Sequence, residues 1–175
     1  MNLPGPPLPQ CHLRPGECLV TQEPQWVVTV LGSCVAVTMF NPRFGLAAIC
    51  HGMLPKSHGA RQPGAKPEEL FRYLDHAIPV MIERFSRLGL PPAEVEVKMF
   101  GGGNVIDLGG PAQNDRLIGD ANIAKARKLL QAAGFQIKAQ NVGGTRGCKI
   151  LFNTQTGEVL HKHLSQREAI PNNLP

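Results

Sequence analysis

The hydrophobic pattern is dominated by two apolar runs, Cys34 to Phe40 and Gly45 to Leu54, separated by the turn-forming Asn41-Pro42-Arg43-Phe44. That pattern predicts a β-hairpin. With Phe40 set opposite Gly45, Cys34 falls opposite His51, and side chains directly opposite in an antiparallel pair share a face, with Cβ atoms about 4.5–5.5 Å apart. Upstream, Glu17–Val20 and Trp26–Val30 read as short strands turned at Glu23-Pro24. Downstream, Leu70, Leu74, Ala77, Met81, Phe85 and Leu88 recur at helical spacing behind Pro67 and stop at Gly89, with a kink over Asp75–Ile78 expected from Pro79. Val95, Val97 and Met99 then alternate with Glu94, Glu96 and Lys98, the pattern of a strand with one solvated face.

The rest of the chain continues in kind. After Gly101-Gly102-Gly103 comes a polar stretch, Asn104–Arg116, expected to form a loop at the rim of a site. Asp120 is placed to cap a second helix, whose buried stripe is Ile123, Ala126, Leu129, Leu130 and Ala133, ending at Gly134. Phe135–Val142 reads as a strand, and Cys148–Asn153 pairs with Glu158–Leu164 across Thr154–Gly157. His161 and His163 share one face of that last strand and read as surface residues. Two long helices and about eight strands, mostly in hairpins, give an α+β domain with the helices on one side of a largely antiparallel β layer.

Composition narrows the function classes. The 175 residues, 42% of them hydrophobic, suit a single domain. Residues 1–12, rich in proline, are expected to form a disordered arm, residues 13–164 the domain, and residues 165–175 a flexible tail. No apolar run approaches the eighteen or so residues of a membrane span, so the chain reads as cytoplasmic and not membrane-inserted. Five cysteines without a regular framework fit reduced thiols. A net charge of +5 suits an acidic partner, but no basic block exceeds two adjacent residues and aromatics are 5% of the chain, which argues against nucleic acid. Cys11, His12, Cys18, Cys50, His51, His161 and His163 lack the paired spacing of metal ligands, and no metal or other cofactor is implied. The glycine triplet is not a phosphate loop, because Ile106 stands where the dinucleotide fingerprint needs glycine.

What remains is a thiol beside an imidazole. A neighbouring histidine can take the thiol proton and turn cysteine into a nucleophile; pairing alone is equally compatible with a small buried thiol and a satisfied strand histidine. Gly32 permits a tight turn, and a compact turn through Gly32, Ser33 and Cys34 can aim backbone N–H groups at a developing oxyanion. The loop Lys56–Lys66 lacks apolar periodicity and could gate the site beside His51.

Leu31-Gly32-Ser33-Cys34-Val35-Ala36-Val37 and His51-Gly52-Met53-Leu54-Pro55 resemble the CheD family of chemoreceptor glutamine deamidases. So do Phe100-Gly101-Gly102, Ile118-Gly119 with Asn122, and Val142-Gly143-Gly144 with Gly147, Lys149 and Thr156-Gly157-Glu158-Val159; together they cover roughly Gly16 to Leu164. The resemblance implies an α/β/β three-layered sandwich and a Cys34–His51–Thr29 triad, with Asn141 and Cys148 departing from the family's usual acidic residue and arginine. It implies a protein-glutamine glutaminase whose substrates are cytoplasmic helices of chemotaxis receptors, and a CheC-type phosphatase as a further partner. The alternative is a non-catalytic module that docks on receptors or on such a phosphatase; a cysteine peptidase or small-molecule amidase would use the same nucleophile.

Overall fold

The computed structural model describes residues 7–57, 66–104 and 112–165. Among the described residues, nine strands form two sheets. In the first, β1 (Gln10–His12), β3 (Trp26–Leu31), β8 (Cys148–Asn153) and β9 (Val159–His163) lie in the order β1-β3-β8-β9. In the second, β2 (Cys18–Thr21), β5 (Leu46–Gly52), β4 (Val35–Asn41), β6 (Glu96–Gly101) and β7 (Ile137–Val142) lie in the order β2-β5-β4-β6-β7. Helices α1 (Leu74–Ser86) and α2 (Ala112–Ala132) pack on the outer face of the second sheet. The expected α/β/β sandwich is the observed one.

The central hairpin explains the layering. Every residue of β4 and β5 is buried, because alternate side chains enter two different cores. Val35, Val37, Met39, Leu46, Ala48 and Cys50 face the helices, where they meet Leu74, Ile78, Met81 and Phe85. Ala36, Phe40, Ala47 and Ile49 face the first sheet, where they meet Val27, Leu31, Ile150 and Phe152. No helix among the described residues is long and apolar enough to cross a membrane.

The hairpin register differs from the sequence expectation by two. Ala36, not Cys34, opposes His51, and the closing pair is Asn41 with Leu46. Gly45 has φ +59°, a left-handed conformation that belongs in a turn, so it sits in the loop instead of opening β5. Asn41 closes that loop by accepting the Phe44 N–H at 2.9 Å. Since a shift of two preserves faces, Cys34 still projects to the His51 side, as a diagonal neighbour.

Other departures have local causes. Gln10–His12, read as part of a loose arm, pair in parallel with Trp26–Val28 as β1. The break in the first helical pattern falls at Tyr73, between a 3-10 turn over Pro67–Arg72 and α1, and not at the kink expected over Asp75–Ile78, residues that lie within α1 together with Pro79. Tyr73 bridges to Leu54, and Leu74 N–H bonds the Leu54 carbonyl at 2.9 Å, so the end of the hairpin captures the chain there. The second helix begins at Ala112, which makes Asp120 an interior residue and not a cap; the expected loop over Asn104–Arg116 falls partly outside the described residues. The second face of β6 is not simply solvated. Glu96 pairs with Lys98 at 2.7 Å and with Lys138, and Lys98 also bonds the Gly157 carbonyl at 2.8 Å.

Candidate active site

Thr29 and His51 meet between the two sheets, and Cys34 packs against the same inter-sheet core. Thr29 is on the inner face of β3 and His51 on the inner face of β5, each nearly fully buried, and Thr29 Oγ1 lies 2.7 Å from His51 Nδ1 across the inter-sheet space. Cys34 stands one residue before β4, partly buried against the inter-sheet core.

The hydrogen bonds fix the imidazole's protonation. Thr29 Oγ1 lies 2.8 Å from the Leu13 carbonyl oxygen, which can only accept, so the single hydroxyl proton is donated there. Toward His51 the hydroxyl must therefore accept, and the Nδ1–H donates to it. The neutral ring then carries its free lone pair on Nε2. That atom is buried and has no hydrogen-bond partner among the described residues. An imidazole held in this tautomer, with an unoccupied basic nitrogen, is equipped to accept a proton.

Burial sets the resting charge state. Desolvation lowers the His51 pKa to about 4, with the Glu17 carboxylate opposing the shift. Desolvation raises the Cys34 thiol pKa, partly offset by the residue's own backbone N–H. Both shifts favour the uncharged forms, a thiol and a neutral imidazole.

A β-bulge aims His51. Gly16 N–H bonds the His51 carbonyl at 2.8 Å, and His51 N–H bonds the Glu17 carbonyl at 2.9 Å, so two residues oppose one. Gly16 has φ +80°, the conformation this bulge requires of its first residue. Glu17 accepts the Arg14 N–H at 2.7 Å, closing the turn that precedes the bulge.

The turn before Cys34 is anchored through its carbonyls. Gly103 N–H bonds the Gly32 carbonyl at 2.8 Å, Asn122 Nδ2 bonds the Ser33 carbonyl at 3.0 Å, and Gly102 N–H bonds the Cys34 carbonyl at 2.7 Å. In a trans peptide the C=O and the next N–H point in opposite directions. The Ser33 and Cys34 N–H groups are thereby turned away from these anchors. The contact needs glycine: a Cβ at Gly101 would stand 2.3 Å from the Cys34 carbonyl oxygen, and one at Gly103 2.9 Å from the Arg146 carbonyl oxygen.

His161 and His163 do not join this constellation directly. They are on the inner face of β9, opposite Ile150 and Cys148, with the His161 ring stacked on Phe100 at 6.0 Å and on the edge of His163 at 4.6 Å. Cys148 is buried opposite Leu31, and Asn141 pairs with Phe100. Three contributors escaped the sequence reading: the Leu13 carbonyl, the Gly16 bulge and the Asn122 amide. Pro15-Gly16 marks a turn in the sequence, but nothing there says that the turn faces His51.

The chain is similar to several known proteins. A family model described as CheD chemotactic sensory transduction matches residues 53–163, a span that begins just after His51. A probable chemoreceptor glutamine deamidase CheD 2 of Geobacter sulfurreducens is 44% identical over 164 residues, covering 94% of this chain and 96% of that protein. Probable chemoreceptor glutamine deamidases CheD of Oleidesulfovibrio alaskensis and Maridesulfovibrio salexigens are 44% and 36% identical, covering 90% and 88% of this chain and 74% and 91% of theirs. Among solved structures, the Bacillus licheniformis hypothetical protein YfiH is similar at 17% identity and a TM-score of 0.44, over 71% of this chain and 49% of that one.

Proposed function

The chain belongs to the CheD family, and on that premise we propose that it is a protein-glutamine deamidase with Cys34 as nucleophile, His51 as general base and acid, and Thr29 as the residue that orients His51. The observation that carries this reading is the Thr29–His51 hydrogen bond, which leaves Nε2 bare on the face to which Cys34 projects.

In this mechanism a glutamine carboxamide enters beside the partly exposed Cys34. His51 Nε2 takes the thiol proton as Sγ attacks the carboxamide carbon, and the Ser33 and Cys34 N–H groups receive the oxyanion. The tetrahedral adduct collapses as His51 returns the proton to the nitrogen, releasing ammonia and leaving a thioester. The imidazole then draws a proton from water, which attacks the thioester and yields glutamate and the free thiol. General acid–base catalysis of this kind contributes about 10²–10⁴-fold. Attack on a neutral carboxamide by a neutral thiol–imidazole pair needs no preformed ion pair, in keeping with the raised Cys34 and lowered His51 pKa values.

The substrates in this reading are glutamines on the cytoplasmic helices of chemotaxis receptors, and a CheC-type phosphatase is a further partner; the protein is then cytoplasmic. Residues 10–164, which include β1 of the first sheet, make up the deamidase unit in this reading.

Intact-mass measurement of a receptor cytoplasmic fragment incubated with the chain tests the proposal. A gain of about one dalton per modified site, with ammonia released and the effect lost with Cys34→Ala, is expected. A fragment that binds yet gains no mass would point to the docking module instead. Chain cleavage would point to a peptidase.

A further inference from the structure

We propose that Asn122 is a positioning residue of this site, whose single amide nitrogen sets the separation of nucleophile and base; the inference rests on the deamidase reading. Its Nδ2 donates to the Ser33 carbonyl and to the Met53 carbonyl, each at 3.0 Å. Ser33 C=O belongs to the peptide whose N–H is that of Cys34. Met53 follows His51 by two residues along the same strand end. One side chain of α2 thus ties the peptide before the nucleophile to the segment after the base.

Three observations make this more than packing. Asn122 is fully buried in α2, and both of its N–H donors are committed, so a flipped amide would set its oxygen against two carbonyls. Its Oδ1 is buried without a hydrogen-bond partner among the described residues. An unpaired buried acceptor costs stability, and an apolar side chain would avoid that cost, so the amide serves the two bonds its nitrogen makes. Finally, the helix is brought close for this contact. Gly119 lies three residues earlier on the same face, and a Cβ there would stand 2.6 Å from the Gly102 carbonyl oxygen. Gly102 itself holds the Cys34 carbonyl. The glycine contact lowers the helix onto the nucleophile turn, and Asn122 then reaches both segments.

The test uses the full chain carrying Asn122→Asp or Asn122→Ala, alongside His51→Ala. Asp keeps the volume and replaces both donors with oxygen; Ala removes the amide without repulsion and stays readable if the carboxylate unfolds the chain. Thermal unfolding, the pH profile of Cys34 alkylation by iodoacetamide, and kcat and KM on a receptor fragment are measured. In the folded variants kcat is expected to fall about 100-fold, the cost of roughly 1 Å of misplacement, with KM within about threefold. The alkylation profile is expected to move toward that of His51→Ala, which a purely structural role would not cause.

An Asn122→Ala chain with wild-type kcat and alkylation profile overturns the inference, as does a kcat loss that only tracks the folded fraction. If the wild-type chain deamidates nothing, while Asn122→Ala and His51→Ala change the alkylation profile alike, the positioning role stands and the deamidase reading falls. If the wild-type chain deamidates and Asn122→Ala matches it, the positioning role alone falls.

Discussion

At the scale of single residues, the site depends on where one proton goes. Because the Thr29 hydroxyl has one hydrogen and the Leu13 carbonyl takes it, His51 must keep its own proton on Nδ1. Burial then holds the ring neutral. An unfolded histidine titrates near 6.5 and the folded His51 near 4, so between these values the unfolded chain binds the extra proton. His51 therefore contributes its full stabilisation above pH 6.5 and loses it as the pH falls toward 4. By pH 5 the loss is about 2 kcal/mol relative to neutral pH. Urea unfolding of the wild type and His51→Gln at pH 7.5 and 5 checks this. The wild type is expected to lose about 2 kcal/mol more than the variant, and equal losses would contradict the neutral buried imidazole.

At the scale of elements, glycines let three backbone segments converge. The β6 end at Gly101 runs against the Cys34 carbonyl, the Gly16 bulge turns β2 around His51, and α2 approaches through Gly119. Gly101 combines φ +94° with a virtual Cβ 2.3 Å from backbone oxygen, so a side chain there is both strained and obstructed by atoms that cannot rotate away. Gly101→Ala is expected to cost about 2–5 kcal/mol from backbone strain and overpacking together. Any folded fraction should carry a displaced nucleophile turn. Denaturant unfolding checks the first effect and the rate of Cys34 alkylation the second; an unchanged midpoint would contradict the close approach.

At the scale of the whole molecule, two cores share the β4–β5 hairpin. Phe85 sits in the helix-side core and Phe152 in the inter-sheet core, both fully buried. The strands between them bury both faces, so neither core can open without exposing the other side of the same backbone. Phe85→Ala and Phe152→Ala are each expected to cost about 3–5 kcal/mol and to shift one common transition. Calorimetry that resolved two transitions in either variant would contradict a single cooperative unit. Thr29 comes from one sheet and His51 from the other, with Cys34 just before β4, so the geometry of the proposed triad depends on how the sheets are docked.

Much of this was legible in the linear pattern, and what escaped has a common form. Turn residues and apolar runs located the β4–β5 and β8–β9 hairpins, and the stripe through Leu74, Ala77, Met81 and Phe85 located α1. The Cys34 and His51 faces were right although the register was off by two, because side-chain direction has a period of two and tolerates an even slip. Gly45 carried the missing information, but a glycine's φ is a property of the folded turn. The break at Tyr73 was missed because a long-range contact through Leu54 overrode local propensity.

By itself, then, the sequence determined the strand and helix inventory, the α+β class and the presence of a thiol and an imidazole on one face of a hairpin. These follow from local periodicity, and the family words that imply Thr29 are likewise local. Only the tertiary structure decided that a threonine of one sheet meets the histidine of the other, that a leucine carbonyl takes its proton, and that an asparagine from a helix bonds the carbonyls of both Ser33 and Met53. Those are contacts between residues 16 to 89 positions apart in the sequence, from Thr29–Leu13 to Asn122–Ser33. No periodicity reports them, because they arise when layers dock and each buried polar group must find its partner.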